Sequence, residues 1–433
     1  MFSQNGLSLD QAPPLSVVFR FFFSGSLFGI LAGFLLLFFG TNVFQADHTA
    51  AVILTHTLTL GVMLSFMFAA LFQMLPVIAG VKLTSPTRKA NWVQYPFIFG
   101  VLSLLFAFHS GTPSLFLMAS FFLGSTILGI AAVMLKHLLA LPHHSASSKG
   151  MSVALLSLFL LTLLALYLTG TLGGFIQGSH YAAVKTAHYS LGLFGWIALL
   201  IISISFQVIE MFYVTPPYPD FARNYLPFKI LGLLLAGFFF SFFFDDTWII
   251  IDIFLALVLI GYAMLTLLRL TQRKRPLTDA TVWFWRTGLI LLIASMSATI
   301  DTRFYDLPKL EALNYIFFAG FALSIVFAMF YKIVPFLTWF HLNSQGYFTA
   351  PMMHEVIHPK TAMKHLYIHL STLVTLMLSV FISPFIYAAG LLTIVSFGWI
   401  LWQIIYAHLL YKKTQETGEK FEMKMPEAVS SEQ

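Results

Sequence analysis

Two histidines lie in apolar stretches of the sequence, where an ionisable side chain needs a specific reason to be present. His56 begins the run His-Thr-Leu-Thr-Leu-Gly, and His188 lies in Ala-His-Tyr-Ser-Leu-Gly. A neutral imidazole is a good ligand for haem iron or copper, and its other nitrogen remains for a hydrogen bond. A lone buried histidine is more often bonded to a carbonyl or hydroxyl of a neighbouring helix. Two histidines at similar depth favour a shared haem or metal site.

A second group of histidines lies towards the C-terminus. His365 and His369 are four residues apart, so they share a helix face and can bind one metal ion together. His341 precedes them at the end of an apolar stretch. No acidic or thiolate residue accompanies the pair on its face, and histidines at a membrane surface are often simply solvated. Metal binding by these three residues is therefore one of two interpretations.

Polar residues also interrupt other apolar stretches, and each costs free energy in hydrocarbon unless it faces a protein interior. Gln73, Gln207, Glu210, Tyr331 and Lys332 form this set. Glu210 and Lys332 are expected at matched depth, where they can pair or carry protons towards a central site. The alternatives are a structural ion pair, or a lysine that extends towards the lipid headgroups. The set predicts a polar or proton pathway.

The composition indicates which elements position these residues. The chain is 59% hydrophobic and 9% charged, with a mean hydropathy of +0.86. A soluble domain carries roughly 25% charged residues, so this chain is an integral membrane protein in contact with the lipid bilayer. We predict an all-α fold of about twelve spanning helices in one membrane domain, residues 15–411. The predicted spans are 15–40, 46–80, 92–108, 113–139, 151–176, 181–214, 226–244, 248–270, 282–300, 307–340, 363–382 and 385–410.

Loop charge predicts the orientation, because cytoplasmic loops of membrane proteins are enriched in Lys and Arg. Alternate loops are basic, and the intervening ones are acidic or uncharged, apart from the mixed segment 301–311. Both termini are therefore predicted to be cytoplasmic, in a bacterial-type inner membrane, with a short segment 1–14 and a disordered tail 412–433. The basic loops contain Lys82, Arg88, Lys89, Lys136, Lys149, Arg223, Arg269, Arg273, Lys274, Arg275, Lys360 and Lys364; the others contain Asp47, Asp245 and Asp246.

Several functional classes are excluded by the same numbers. The net charge of +6 is scattered through short loops, so it does not indicate nucleic-acid binding. The absence of cysteine excludes disulfides, thiolate metal sites and iron–sulfur clusters from this chain. No phosphate-binding loop or dinucleotide fingerprint occurs in a strand–turn–helix context, so soluble catalytic domains are excluded as well.

An internal repeat links the second, sixth and tenth predicted spans. Gly61, Gly195 and Gly320 are each followed, eleven positions later, by an aromatic–polar pair, and then by Pro or Glu. Because these spans are four apart and run in the same direction, they predict three four-helix units that each present one long helix to a shared interior. Chance matches among common membrane residues are the alternative. The three long spans are expected to tilt or to project beyond the bilayer.

These features resemble the subunit I superfamily of haem–copper oxidases, and more distantly the NnrS family of haem- and copper-containing membrane proteins. The topology of nearly the whole chain is similar to that of subunit I, and so are the runs that begin at His56, Phe206 and Tyr331. The resemblance implies twelve helices in three groups of four, haem ligation by His56 and a copper-type ligand position near His188. It also implies a b-type haem, with copper as a second candidate, and a quinol or a cytochrome as redox partner.

The chain also departs from that pattern. The seventh span has no histidine pair, and the tenth has Asn314 and Tyr315 where the family has His-x-His. Counted from Gly61 and Gly195, His56 and His188 are two positions out of step, which places them on opposite helix faces. We therefore predict a haem-binding protein for electron transfer or for handling nitric oxide or another diatomic gas, without oxygen reduction. The alternative is a cofactor-free transporter with a polar path between its repeats.

Overall fold

A computed structural model describes residues 12–46, 48–81, 83–275 and 279–420, and no β-strand occurs among them. Tyr347 and Lys420 form an isolated antiparallel bridge. The predicted loop charges Asp47 and Lys82 lie outside the described residues. So do most of the predicted N-terminal segment, residues 1–11, and the tail from residue 421.

Twelve long helices occur in the described part of the chain, one at each predicted span, and they are numbered α1–α12 here. Ten of them are long and apolar enough to cross a membrane; the two others, α7 and α11, are shorter and more polar. The helices are α1 (Leu15–Phe39), α2 (Thr49–Ala79), α3 (Pro86–Ser110), α4 (Pro113–Leu139), α5 (Ala146–Leu172), α6 (Tyr181–Tyr213), α7 (Asp220–Phe240), α8 (Thr247–Thr271), α9 (Ala280–Phe304), α10 (Pro308–Ser344), α11 (Pro359–Ser379) and α12 (Phe385–Thr417).

Local sequence signals explain several helix ends. Four helices, α3, α4, α10 and α11, have proline in their first turn, where its missing N–H would have no intrahelical partner. Helix α2 ends at Gly80, with φ 69°, and α3 ends at Gly111, with φ 67°. Glycine adopts this left-handed conformation without a Cβ penalty, so it stops the helix cleanly.

The helices pack in a closed ring around α2, α6 and α10. Helix α4 contacts α5, α8 contacts α9, and α12 returns to contact α1. The closing contact is tight because a Cβ built on Gly33 would lie 2.8 Å from the carbonyl oxygen of Gly390. The three central helices are 31, 33 and 37 residues long, against 25–27 for most of the others, which confirms the predicted excess length.

The three glycines of the predicted repeat occupy equivalent positions in this packing. A Cβ on Gly61 would lie 2.6 Å from Cγ of Phe28 in α1, and one on Gly320 would lie 2.7 Å from Cδ1 of Leu291 in α9. A Cβ on Gly195 would lie 3.0 Å from Oγ of Ser157 in α5. The missing side chain of each glycine therefore allows close packing of the helix that precedes its own in the chain.

Two of the central helices contain eight-residue π-helical segments, Thr57–Leu64 in α2 and Leu191–Ala198 in α6. Gly61 and Gly195 are the fifth residues of these segments. Gly320, in contrast, lies in continuous α-helix. Segments of π-helix are rare and occur often at functional sites, so they direct attention to the side chains beside them.

The C-terminal end of the membrane domain differs from the sequence prediction. Helix α12 continues to Thr417, so the first six residues of the predicted tail, 412–417, are helical. A side-chain contact fixes this extension, because Nε2 of Gln345 donates to the hydroxyl oxygen of Tyr411 at 2.7 Å, and Nε2 of Gln415 donates to Oε1 of Gln345 at 2.8 Å.

Candidate functional site

His56 and His188 occupy matching places in α2 and α6. Each is the eighth residue of its helix, which places it roughly 10 Å along the helix axis from the first residue. His56 directly precedes the π-helical segment of α2, and His188 lies three residues before that of α6. Both side chains are half-buried, so each ring retains some surface that protein atoms do not cover.

One nitrogen of each ring is bonded to a backbone carbonyl. Nδ1 of His56 lies 2.8 Å from the carbonyl oxygen of Val52, and Nδ1 of His188 lies 3.3 Å from that of Leu161 in α5. A proton on Nδ1 makes Nε2 the lone-pair nitrogen, and the carbonyl raises its basicity. Both imidazoles are thus held in the tautomer that a metal ion requires.

The two imidazoles face the same space. Their ring centroids are 6.3 Å apart, and their planes differ by 15°. Two imidazoles on opposite sides of one metal, with bonds of about 2.0 Å and nitrogens about 1.1 Å from the centroids, have centroids about 6.2 Å apart. The observed centroid separation is close to that value.

His56 and His188 were predicted to lie on opposite helix faces, and their rings nevertheless lie close together. Helices α2 and α6 both line one interior, with α3 packed against α2 and α5 packed against α6. Side chains that meet between two such helices must leave them from opposite faces. The two-residue difference in register is therefore what brings the histidines together.

The number of protein ligands bears on which metal group the site can hold. Among the described residues, no three His, Asp, Glu or Cys side chains are grouped closely enough to hold a metal ion. Protein-bound zinc and copper usually have three or four protein ligands. A haem would bring four ring nitrogens of its own, so His56 and His188 would supply the remaining ligands to its iron. The donor set fits a haem better than a bare ion.

An ion pair lies near this site. Asp252 of α8 is buried, and its Oδ2 accepts a hydrogen bond from Nε of Arg303 in α9 at 2.7 Å. Arg303 also interacts with the side chain of Tyr189, the neighbour of His188. Sequence reasoning did not select Asp252 or Arg303, although a carboxylate five residues inside an apolar helix was the available signal.

The second group of histidines is differently arranged. His365 and His369 are buried, with Nε2 of His365 2.9 Å from Oγ of Ser396 and Nε2 of His369 2.8 Å from Oγ of Ser324. These serines belong to α12 and α10, so the two imidazoles join three helices. His341 is half-buried, and its Nε2 has no hydrogen-bond partner within the described part of the chain. The three histidines form no three-ligand group.

The predicted polar pathway separates into different environments. Lys332 pairs with Asp279 rather than with Glu210, with Nζ 2.6 Å from Oδ2. Oε1 of Glu210 accepts a hydrogen bond from the backbone N–H of Tyr218 at 3.0 Å. The sequence could not favour Asp279, because this residue is the N-cap of α9 and looks like a loop residue.

The remaining three members of that set differ in burial. Gln207 is half-buried, whereas Gln73 and Tyr331 are buried. Oε1 of Gln73 and the hydroxyl of Tyr331 have no hydrogen-bond partner among the described residues. The set therefore does not form one continuous hydrogen-bonded chain.

Buried hydroxyl groups that the sequence analysis did not select lie between α6 and α8. The hydroxyl of Tyr262 donates to Oγ of Ser205 at 2.9 Å, and that of Tyr218 donates to Oγ1 of Thr266 at 3.1 Å. Burial, with Tyr262 and Glu210 nearby, raises the pKa of Tyr218 well above its usual value. Tyr218 therefore stays protonated and remains a donor.

Comparison with known proteins adds no assignment. No family model matches the chain, and no curated protein matches it. The resemblance to oxidase subunit I stays a prediction.

Proposed function

We propose that this chain is a haem-binding protein of a bacterial-type inner membrane, built on a scaffold similar to oxidase subunit I. In this proposal all twelve long helices cross the membrane in three four-helix units, including α7 and α11. The end where α1, α3, α5, α7, α9 and α11 begin, called the basic end below, faces the cytoplasm. The closed ring and the equivalent contacts of Gly61, Gly195 and Gly320 support this arrangement.

The observation that carries the proposal is the imidazole pair. His56 and His188 come from different helices, lie at equal depth and have the centroid separation of two ligands on one metal. Their carbonyl bonds fix both ring orientations before any cofactor binds, which lowers the entropic cost of ligation.

The same geometry favours electron transfer over gas binding. When an imidazole lies on each side of the metal, the metal has no open position for nitric oxide or another diatomic gas. A haem supplies one-electron chemistry, and the protein sets its potential by ligation, burial and nearby charge. The Asp252–Arg303 pair is the nearby charge in this case. A cytochrome that docks at the end opposite the basic end would be closer to His56 and His188 than a quinol bound at the basic end. Of the two expected partners, a cytochrome is therefore favoured.

A visible spectrum of the detergent-purified protein tests this proposal. We expect a Soret band that His56→Ala and His188→Ala each abolish or shift. His180→Ala, an exposed histidine at the same end of the bundle, is the matched control and should leave the band unchanged. A purified wild-type protein without a Soret band after haem reconstitution would refute the proposal.

Electron paramagnetic resonance provides a second readout of the same site. Because the imidazole planes differ by only 15°, the oxidised protein should give a rhombic low-spin signal. A high-spin signal would mean that one histidine is not a ligand, and gas binding would then be the better hypothesis.

A polar-solute transporter is the second candidate, and one feature favours it. Lys332 and Gln73 border a cavity between the central helices. The next cavity along the same axis is lined by hydrophobic residues, among them Phe66 and Ile325. A polar solute would have to cross that apolar stretch, so we place this function second.

A further inference from the structure

Two adjoining cavities lie on the axis between α2, α6 and α10. The one nearer the basic end, called the vestibule here, has a volume of about 80 Å³, and its lining includes Gln73, Lys332 and Phe336. The other, called the apolar chamber, has a volume of about 50 Å³, and its lining includes Ala70 and Ile201. Met74 and Ile333 line both cavities and separate them.

The vestibule contains an unsatisfied acceptor. Gln73 is 5% exposed, and its Oε1 has no hydrogen-bond partner among the described residues. A buried amide oxygen without a partner is unfavourable, so native structures normally supply one, from protein or from ordered water. Gln73 lines the vestibule, so such a partner has room there.

Lys332 forms the other polar wall, and a hydrogen-bonded network fixes it. Its Nζ lies 2.6 Å from Oδ2 of Asp279, while Oγ1 of Thr281 donates to Oδ1 of Asp279 at 2.6 Å. The hydroxyl of Tyr213 donates to Oγ1 of Thr281 at 2.8 Å. Asp279 is 41% exposed, so this network connects the vestibule with the solution at the basic end.

The volume decides between possible occupants. A water molecule needs roughly 10–15 Å³ of such space, whereas a cavity known to take benzene has about 150 Å³. The vestibule, at about 80 Å³, is large enough for several waters and too small for a quinol ring. Water can donate to the Gln73 oxygen and accept from the Lys332 ammonium, so it satisfies both polar walls.

We propose that the vestibule is a water-filled site, anchored by Gln73 and Lys332, that opens to the basic end and is closed at its other end by the apolar chamber. The water gives the half-buried Lys332 ammonium further contact with bulk solution while the chamber stays dry. The site is at least about 25 Å from His56 along α2, so it is separate from the proposed haem site and does not depend on it.

Cysteine accessibility to silver ions tests the proposal, because the chain has no cysteine and Ag⁺ is close to water in size. Val77→Cys and Phe336→Cys line the vestibule alone, and Ala70→Cys and Ile201→Cys line the chamber alone. Ag⁺ is added to vesicles of each orientation, and the unreacted thiol is then counted with a maleimide after denaturation.

We expect Ag⁺ from the basic end to react with the two vestibule cysteines at least about tenfold faster than with the two chamber cysteines. Equal rates for all four would show that the two cavities do not differ in hydration and would overturn the proposal. Equal rates from both membrane sides would show an open pore and would overturn the closed end. Each cavity has variants on two helices, so one misfolded variant does not decide the outcome.

A second measurement tests the anchor. In the Phe336→Cys chain, Gln73→Leu should slow the silver reaction about fivefold, because the acceptor for water is lost. Gln73→Glu keeps an acceptor oxygen and should react at the parent rate. If Gln73→Leu also reacts at the parent rate, Gln73 does not hold the water.

Discussion

The two ion pairs found among the described residues differ in burial, and that difference predicts a large difference in their contribution to stability. Asp252 is 4% exposed and Asp279 is 41% exposed. Removing the cation from a buried pair leaves an unpaired charge and costs about 3–5 kcal/mol. Breaking an exposed pair costs about 0–1 kcal/mol. We therefore expect Arg303→Met to destabilise the protein by about 3 kcal/mol and Lys332→Met by less than about 1 kcal/mol.

Thermal unfolding in detergent, followed by tryptophan fluorescence, measures this difference. A change of 1 kcal/mol shifts Tm by roughly 2–4 °C in a chain of about 200 residues, and by about half of that in one twice as long. Arg303→Met should thus lower Tm by about 3–6 °C, and Lys332→Met by about 2 °C at most.

A double variant distinguishes the loss of the ion pair from the cost of leaving the buried Asp252 carboxylate unpaired. In Asp252→Leu/Arg303→Met both charges are gone and the space is filled with apolar atoms, so most of the lost stability should return. The reasoning is refuted if Arg303→Met lowers Tm no more than Lys332→Met does. It is also refuted if the double variant is as unstable as Arg303→Met alone.

Three further predictions concern topology, pH and oxygen. In an otherwise cysteine-free chain, Arg88→Cys and Lys360→Cys should react with an impermeant thiol reagent only from the cytoplasmic side, and Asp245→Cys only from the outside. Labelling of position 88 from outside intact cells would contradict this topology. Burial raises the pKa of Asp279, but Lys332 and hydrogen bonds outweigh it and hold that pKa below the usual value. The stabilisation that the Asp279 carboxylate provides is therefore complete above about pH 4, and it is lost as the pH falls through the lower folded pKa. The Tm difference between the wild type and Asp279→Asn should thus shrink from about pH 6 to pH 3. A Tm difference that stays constant over this range excludes the effect. The purified protein should show no cyanide-sensitive oxygen consumption with quinol or a reduced cytochrome, and sustained turnover with bound copper would reveal a dinuclear centre.

The helices themselves were predictable from the sequence. Hydropathy over twenty residues reflects a local requirement, since a chain in lipid must satisfy its backbone hydrogen bonds within each helix. All twelve predicted segments are helical, including the pairs divided at Asp245 and Ser383, where short turns interrupt the apolar pattern. The crossing of α7 and α11 stays a prediction, because their polar residues bring them below the apolarity that the other ten reach.

Depth along a helix was also encoded locally. The equal depth of His56 and His188 follows from counting residues after each turn, and both prove to be the eighth residue of a helix. What the count could not provide was the direction of each side chain around its helix. The register relative to Gly61 and Gly195 predicted only that the two histidines lie on opposite helix faces, and the structure shows that their rings lie 6.3 Å apart.

The partners of charged and polar groups were decided by tertiary structure alone. Lys332 was expected near Glu210 because their depths match, yet it pairs with Asp279 at the start of another helix. His365 and His369 share a face as the sequence predicts, but each bonds a serine of a different helix. The sequence by itself determined that the chain is a bundle of apolar helices with polar groups at particular depths. Which of those groups meet depends on the rotation of each helix and on its neighbours in the ring, and these are set by side-chain packing between segments far apart in the chain.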